Sequence, residues 1–260
     1  MQIATWNING VRARLEGLKT WLIEAQPDVV CLQEIKTPTE AFPTEDIEQL
    51  GYNLAVHGEK GFNGVAILSK RPFERVTDAL PGDPSDSQSR YLEVVVPAAR
   101  GSVRIASIYL PNGNPIGTDK FQYKLAWMQR LESHTRTLLD GGEAFVLAGD
   151  FNVIAEPRDA RTPAAWVEDA LFQPQSRRAL RSLLSLGLTD ALRACNDDDG
   201  VYTFWDYQAG AWNKDHGIRI DFCLLSPPAA DRLQSATIDR RTRAWEKPSD
   251  HVPVRIDLAE

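Results

Sequence analysis

The chain reads first as a succession of short apolar runs. Strand patterning falls at 2–8, 28–34, 53–57, 63–69, 90–96, 103–110, 144–150, 217–225 and 251–257. Several of these (VVCLQ, FVLAG, DFCLL) are apolar on both faces, as suits strands covered on both sides. Helical spacing appears over 119–139, which places Phe121, Leu125, Met128, Leu131 and Leu138 on one stripe, with Asp119 at the start where a carboxylate suits the helix dipole. A second helix is expected over 175–186, through Ala179, Leu180, Leu183, Leu184 and Leu186 up to Gly187, and a third over 11–25. Strands outnumber helices, and hairpin-like neighbours occur at 53–69 and 90–110. This predicts an α/β (α+β) architecture of two packed mixed sheets with helices outside, not a simple βαβ alternation. No repeat, low-complexity tract or Gly/Ser/Pro-rich linker divides residues 1–260, so a single domain is expected.

Polar residues cluster where the apolar runs end. Asn7 and Asn9 share a face in the first strand, opposite Trp6 and Ile8. Val30, Leu32 and Glu34 share a face in the second. In 217–225, Arg219, Asp221 and Cys223 oppose Ile218, Ile220 and Phe222. Tyr109 ends its run and Pro-Asn-Gly follows. Asp150 and Asn152 point one way while Phe151 points into the core, and Asp250 precedes His251 near the chain's end. A single polar strand end is simply where a strand meets water. Gathered at one edge, these ends build a cleft lined by Asn7, Glu34, Tyr109, Asp150, Asn152, Asp221, Asp250 and His251. Carboxylate oxygens bind a hard cation, and a histidine oriented by a carboxylate acts on a proton or a developing charge. That set suits hydrolysis of a phosphate ester.

The formal charge of −7 argues against a simple nucleic-acid coat protein. It does not argue against a nucleic-acid enzyme, whose metal-binding carboxylates add local negative charge. Cys31 and Cys223 lie in apolar runs and Cys195 stands apart, which favours a reducing, cytoplasmic compartment. No basic and apolar leader pattern opens the chain, and no run approaches the length of a membrane span.

The stretches TWNING (5–10), LQEIK (32–36), GFNGVAILSK (61–70), YLPNG (109–113), GDFNV (149–153), YTFWDY (202–207), GIRIDF (217–222) and KPSDH (247–251) occur in the order found in one family. The chain resembles the exonuclease III family of bacterial apurinic/apyrimidinic (AP) endonucleases, within the endonuclease/exonuclease/phosphatase superfamily. The match spans nearly the whole sequence. GDFN and SDH are shared widely in the superfamily, whereas LQEIK, YLPNG and RIDF together are more specific.

The resemblance implies a four-layer, DNase I-like sandwich with its site at one edge. It implies Glu34 as the principal ligand of Mg²⁺, with Mn²⁺ as a substitute, and Asn7 and Asp250 completing the metal environment. It further implies Asp221 orienting His251, Asp150 aligning or deprotonating the attacking water, and Asn152 holding Asp150 or a phosphate oxygen. Tyr109 and Asn112 would contact phosphate, with Tyr109 near the leaving group, Lys36 would lie near the metal-binding carboxylate, and Phe204 and Ile218 would line a pocket for a flipped-out abasic sugar, with Ile220 near. Some relatives carry tryptophan where this chain has Ile218. The implied activity is cleavage 5′ to abasic sites in double-stranded DNA, with 3′–5′ exonuclease and 3′-phosphatase activity at 3′ ends, and no obligate protein partner.

Candidate phosphate contacts are Arg12 and Arg14, Lys60, Lys70 and Arg71, Arg177, Arg178 and Arg181, and Arg240, Arg241 and Arg243. His134 is expected on an exposed helix face and Trp205 as a buried anchor, while 155–175 reads as a long surface excursion. Two other readings compete: a phosphodiesterase or phosphatase of the same fold acting on a non-DNA substrate, and a non-catalytic DNA-binding module. Tyr109 followed by Pro-Asn-Gly disfavours the first, since such relatives commonly carry histidine at that point. The full set of carboxylates with His251 disfavours the second.

Overall fold

The structure is a computed structural model that describes residues 1–260. The strands are β1 (Gln2–Asn7), β2 (Val29–Gln33), β3 (Asn53–His57), β4 (Val65–Ser69), β5 (Glu74–Thr77), β6 (Tyr91–Pro97), β7 (Ser102–Tyr109), β8 (Phe145–Asp150), β9 (Thr189–Asp190), β10 (Asp221–Leu225), β11 (Leu233–Ile238) and β12 (Val254–Leu258). The α-helices are α1 (Leu15–Ala25), α2 (Thr44–Glu48), α3 (Asp119–Asp140), α4 (Pro174–Leu184), α5 (Ala191–Cys195) and α6 (Pro227–Ala230). Two mixed six-stranded sheets form, in the orders β11-β12-β1-β2-β4-β3 and β5-β6-β7-β8-β10-β9.

Three apolar clusters correspond to the three interfaces of a four-layer sandwich. Ile3, Val29, Cys31, Ile67, Val94, Ile105, Val146, Cys223 and Ile256 fill the space between the sheets. Trp6, Val30, Leu32 and Leu68 pack under α1 through Leu18, Trp21 and Leu22. Phe145, Leu147, Phe222 and Leu224 pack under α3 and α4 through Trp127, Met128, Leu131, Leu180 and Leu183. Truncating a fully buried tryptophan such as Trp21 or Trp127 removes roughly 3–5 kcal/mol.

Most of the expected elements form, and the differences have physical causes. The strands missed, β5, β9 and β11, include three of the four sheet edges. An edge strand is partly solvated, so its apolar alternation is weak; β5 is almost wholly exposed. The expected 217–225 strand begins only at Asp221, and Ile218 instead bridges Ala160 and Phe204. The 11–25 helix opens with a 3₁₀ turn over Val11–Arg14. On α3 the buried face carries Lys124 and Trp127, whereas Leu125 is only partly covered. His134 is not on an exposed face: its Nε2 lies 3.0 Å from the buried Glu93 carboxylate. Trp205 is fully buried, as expected.

Strand register places the site. β1 runs parallel to β2 with Asn7 abreast of Gln33, and β7 runs parallel to β8 with Tyr109 abreast of Asp150. β10 returns antiparallel with Asp221 opposite Asp150. Thr5, Gln33 and Ser107 form a buried polar layer just beneath: Thr5 Oγ1 donates to Gln33 Oε1 at 3.1 Å, and Gln33 Nε2 donates across to Ser107 Oγ at 3.0 Å. Gly149 lets β7 and β8 close at this level, since a Cβ there would lie 1.9 Å from the Ile108 carbonyl oxygen. Gly149→Ala is therefore expected to lower stability by about 3 kcal/mol or more, read as the urea midpoint. A wild-type midpoint would contradict this packing.

Candidate active site

Six of the expected residues form a continuous row between the two sheet rims. Asp221 Oδ2 accepts from His251 Nδ1 at 2.8 Å. His251 Nε2 lies 3.7 Å from Asp150 Oδ2. Asn7 Nδ2 donates to Asp150 Oδ2 at 3.0 Å and to Glu34 Oε1 at 2.9 Å. Lys36 Nζ pairs with Glu34 Oε2 at 2.8 Å. Residues from opposite ends of the sequence thus meet in one groove.

Asn7, Tyr109, Asp150 and Asp221 get there by strand alternation, because each shares its face with residues of the inter-sheet core. Glu34 does not. Alternation would leave it on the outer face with Val30 and Leu32, but the strand ends at Gln33 and Glu34 takes a left-handed backbone, φ 49°. That turn brings the carboxylate to Asn7. Asn9, Lys36 and Asn152 are left-handed too, at φ 47°, 52° and 48°. Non-glycine residues adopt this conformation at an energetic cost, and such residues cluster at functional sites. Backbone bonds hold the turns: Gly10 N donates to Glu34 O, Ile35 N to Gly64 O and Lys36 N to Asn63 O.

The amide orientations are fixed by main-chain partners. Asn9 N–H donates to Asn7 Oδ1 at 3.0 Å, so the Asn7 nitrogen faces the two carboxylates. Asn7 is therefore a strut between Glu34 and Asp150, which matches a supporting place in the metal environment. Asn152 Nδ2 donates to Leu110 O at 3.0 Å and to Asp150 Oδ2 at 3.3 Å, while its Oδ1 accepts from Asn112.

Electrostatics follow from burial and neighbours. Burial pushes the Glu34 carboxyl up, but Lys36 and the Asn7 amide outweigh it and hold Glu34 below its usual range. Burial raises Asp150, and the Asp221 and Glu34 carboxylates add to the rise, against the pull of His251. Burial opposes charge on His251, yet Asp221 and Asp150 overcome it and push its pKa up to about 10. Burial, then Glu34 and Asp150, raise the Tyr109 phenol, which stays protonated.

The ligand atoms of Glu34, Asp150 and His251 lie within 4.8 Å of one another; with His251 held protonated, the Glu34 and Asp150 oxygens are the groups that could hold a metal ion. Oxygen donors from two carboxylates suit a hard cation. Asp250 falls outside this group, and its Oδ1 accepts from Asn9 Nδ2 at 2.9 Å.

Other expectations need correction. Ile218 and Ile220 are almost fully buried, in a cluster with Ile154, Ala160 and Leu171. Phe204, Trp166 and Phe172 pack over this cluster, so Phe204 presents the surface and the isoleucines support it. The Phe204 ring meets the His251 ring edge-on at 5.0 Å. Arg219 leaves the Asp221 face, lies 4.5 Å over the Phe222 ring and pairs with Asp159 and Asp190 at 2.7 Å. Of the arginine group near 240, Arg240 stacks on Trp205 and pairs with Asp215, Arg241 pairs with Asp239, and Arg243 is buried against Trp205 O. Lys70 and Arg71 follow Ser69, which pairs with Val29 at the sheet end far from Glu34. Arg12, Lys60, Arg178 and Arg181 remain exposed. Residues 155–175 hold two 3₁₀ turns, Pro157–Asp159 and Pro163–Trp166, the first tied down by Arg219.

Sequence reasoning missed several supporting groups. Ser249 Oγ donates to Asn7 O at 2.6 Å and accepts from His251 N. Thr203 Oγ1 accepts from the amides of Ile220 and Asp221. Lys124 Nζ donates to Pro111 O and Asn152 O. The first two give no pattern signal; a lysine on the apolar stripe of a helix does.

Two helix-covered mixed sheets with a carboxylate–histidine row at one rim define a site built for metal-assisted hydrolysis. A model of the Endonuclease/Exonuclease/phosphatase family matches residues 4–251, and the chain belongs to that family. It is 32% identical over 262 residues to exodeoxyribonuclease III of Haemophilus influenzae, covering 98% of each chain. It is also similar to an AP endonuclease from Archaeoglobus fulgidus, with TM-score 0.94, 36% identity and 99% of each chain covered. A 3′ phosphatase from Neisseria bound to a product DNA hairpin superposes with TM-score 0.95 at 34% identity over 100% of each chain.

The His251–Asp221 pair has a pH signature. Its folded pKa of about 10 lies above the unfolded value of about 6.5, so its stabilisation is complete below about pH 6.5 and is lost as pH rises towards 10. His251→Gln should flatten the fall in urea midpoint over that window, measured in EDTA. An unchanged slope would contradict the pairing.

Proposed function

We propose that this chain is a Mg²⁺-dependent DNA repair nuclease that cuts the phosphodiester 5′ to abasic sites and also removes nucleotides and phosphates from 3′ ends. The chain is a hydrolase of the nuclease type, like its full-length relatives. The observation that carries the reading is the unbroken row from Asp221 through His251, Asp150 and Asn7 to Glu34. The whole of 1–260 is taken as one domain working on double-stranded DNA in the cytoplasm. No helix is long and apolar enough to cross a membrane.

Glu34 would be the principal holder of the cation, with an oxygen of Asp150 in reach and Lys36 and Asn7 fixing the Glu34 carboxylate. A bound divalent cation would supply Lewis-acid neutralisation of charge developing on the phosphate and the leaving oxygen. Asp150 is read as the general base. Its raised proton affinity, from burial first and neighbouring carboxylates second, suits it to take the water's proton on Oδ2, and the Asn7 and Asn152 amides hold that carboxylate in place. His251 keeps Nδ1 committed to Asp221, which leaves protonated Nε2 to stabilise a phosphate oxygen. Asn112 lies beside Asn152 as a further phosphate contact, and the protonated Tyr109 phenol can donate to the substrate near the leaving group. Phe204, resting on Ile218 and Ile220, offers an apolar face beside His251 for a sugar without its base.

The test is a duplex carrying one tetrahydrofuran abasic analogue, with Mg²⁺ or EDTA, beside a blunt duplex and a 3′-phosphate end. Metal-dependent incision is expected, and its absence would remove the reading. Asp150→Asn should lower kcat by about 10²–10⁴-fold with the fold intact. A wild-type rate for this variant would end the assignment of Asp150 as base.

A further inference from the structure

Lys124 is the one lysine that is fully buried, and its ammonium bonds two main-chain carbonyls, with no carboxylate paired directly to it. It sits on the inner stripe of α3 between Phe121 and Met128, where an apolar residue would normally pack. Burial pushes its pKa down to about 7 against the pull of Asp150 and Asp169. A buried ammonium without a contacting anion is unfavourable for folding, so its two contacts call for an explanation. Its Nζ donates to Pro111 O at 2.9 Å and to Asn152 O at 2.7 Å.

Those two carbonyls belong to the turns that leave β7 and β8. Pro111 directly precedes Asn112, whose amide donates to Asn152 Oδ1 at 3.2 Å. Asn152 is left-handed, its N–H donates to Asp150 Oδ1 at 2.9 Å, and its amide donates to Asp150 Oδ2 at 3.3 Å. Gly113, at φ 89°, makes room for the lysine stem, since a Cβ there would lie 2.6 Å from Lys124 Cδ. A long cation threaded from the helix layer therefore clasps both turns from beneath.

We infer that Lys124 is a positioning residue: by pinning the Pro111 and Asn152 carbonyls it holds Asn112, Asn152 and, through Asn152, the Asp150 carboxylate in the geometry the reaction needs. The inference rests on the proposed reaction, because it assigns Lys124 to the alignment of that base. Lys124 touches neither substrate nor reacting atoms and acts through the two turns.

The experiment compares wild type, Lys124→Met, Lys124→Gln and Lys124→Arg on the tetrahydrofuran duplex with Mg²⁺, alongside urea unfolding and amide hydrogen exchange. Lys124→Met is expected to fold and to lose about 100-fold in kcat with little change in KM, the scale of an ångström-level misplacement. Lys124→Arg, which still donates to two carbonyls, should recover most of that loss. Exchange in Lys124→Met should quicken over 110–114 and 150–154 while the sheet core stays protected. If Lys124→Met fails to fold, Lys124→Gln is judged by the same outcomes. Wild-type kcat in a folded variant, no rescue by arginine, or failure of both neutral variants to fold would each overturn the inference. A wild type inactive on every substrate would instead remove the proposed function.

Discussion

The site depends on keeping like charges close together at one buried rim. Glu34, Asp150 and Asp221 converge within a few side-chain lengths, and the last two are essentially shut off from solvent. Burial, with the neighbouring carboxylates, disfavours the ionised state of Asp150. The protein offsets this with two cations and one amide: Lys36 on Glu34, His251 between Asp221 and Asp150, and the Asn7 nitrogen bridging Asp150 and Glu34. The balance is uneven. Glu34 is drawn below its usual range and Asp150 is raised above it, so one carboxylate is suited to a cation and the other to a proton.

This electrostatic arrangement needs a rigid frame. The β7–β8 and β8–β10 registers bring Tyr109, Asp150 and Asp221 abreast, and Gly149 lets the strands close there. Below, Gln33 and Ser107 join the two sheets through a polar contact inside an otherwise apolar core. Above, left-handed residues at strand exits aim side chains that straight strands would send elsewhere. Backbone strain at Glu34 and Asn152 is sustained by hydrogen bonds from Gly10 and Lys124 to their own carbonyls.

The layered fold was legible because buried strands such as VVCLQ and FVLAG are apolar on both faces and α3 and α4 repeat at helical spacing. Edge strands were not, because β5 and β11 are partly solvated and carry no clean period. Site membership was legible in the polar residues that end apolar runs, together with the ordered motifs of the family. Their directions were less so. Alternation aimed Asn7, Tyr109, Asp150 and Asp221 correctly but failed at Glu34 and Arg219, where the strand had ended or not yet begun. Alternation carries information only while the pleat continues. Arg240 and Arg243 looked free in sequence, yet their stacking on Trp205, Trp212 and Tyr207 depends on tertiary contacts that no local pattern encodes.

The central claim is that one cation site lies in this groove, with Glu34 at its heart. Anomalous diffraction from crystals soaked in Mn²⁺ tests it most directly. A peak bonded to a Glu34 oxygen in the wild type, and absent in Glu34→Gln, is the predicted result. Ordered Mn²⁺ bound only away from Glu34, or a peak that persists unchanged in the variant, would contradict the account.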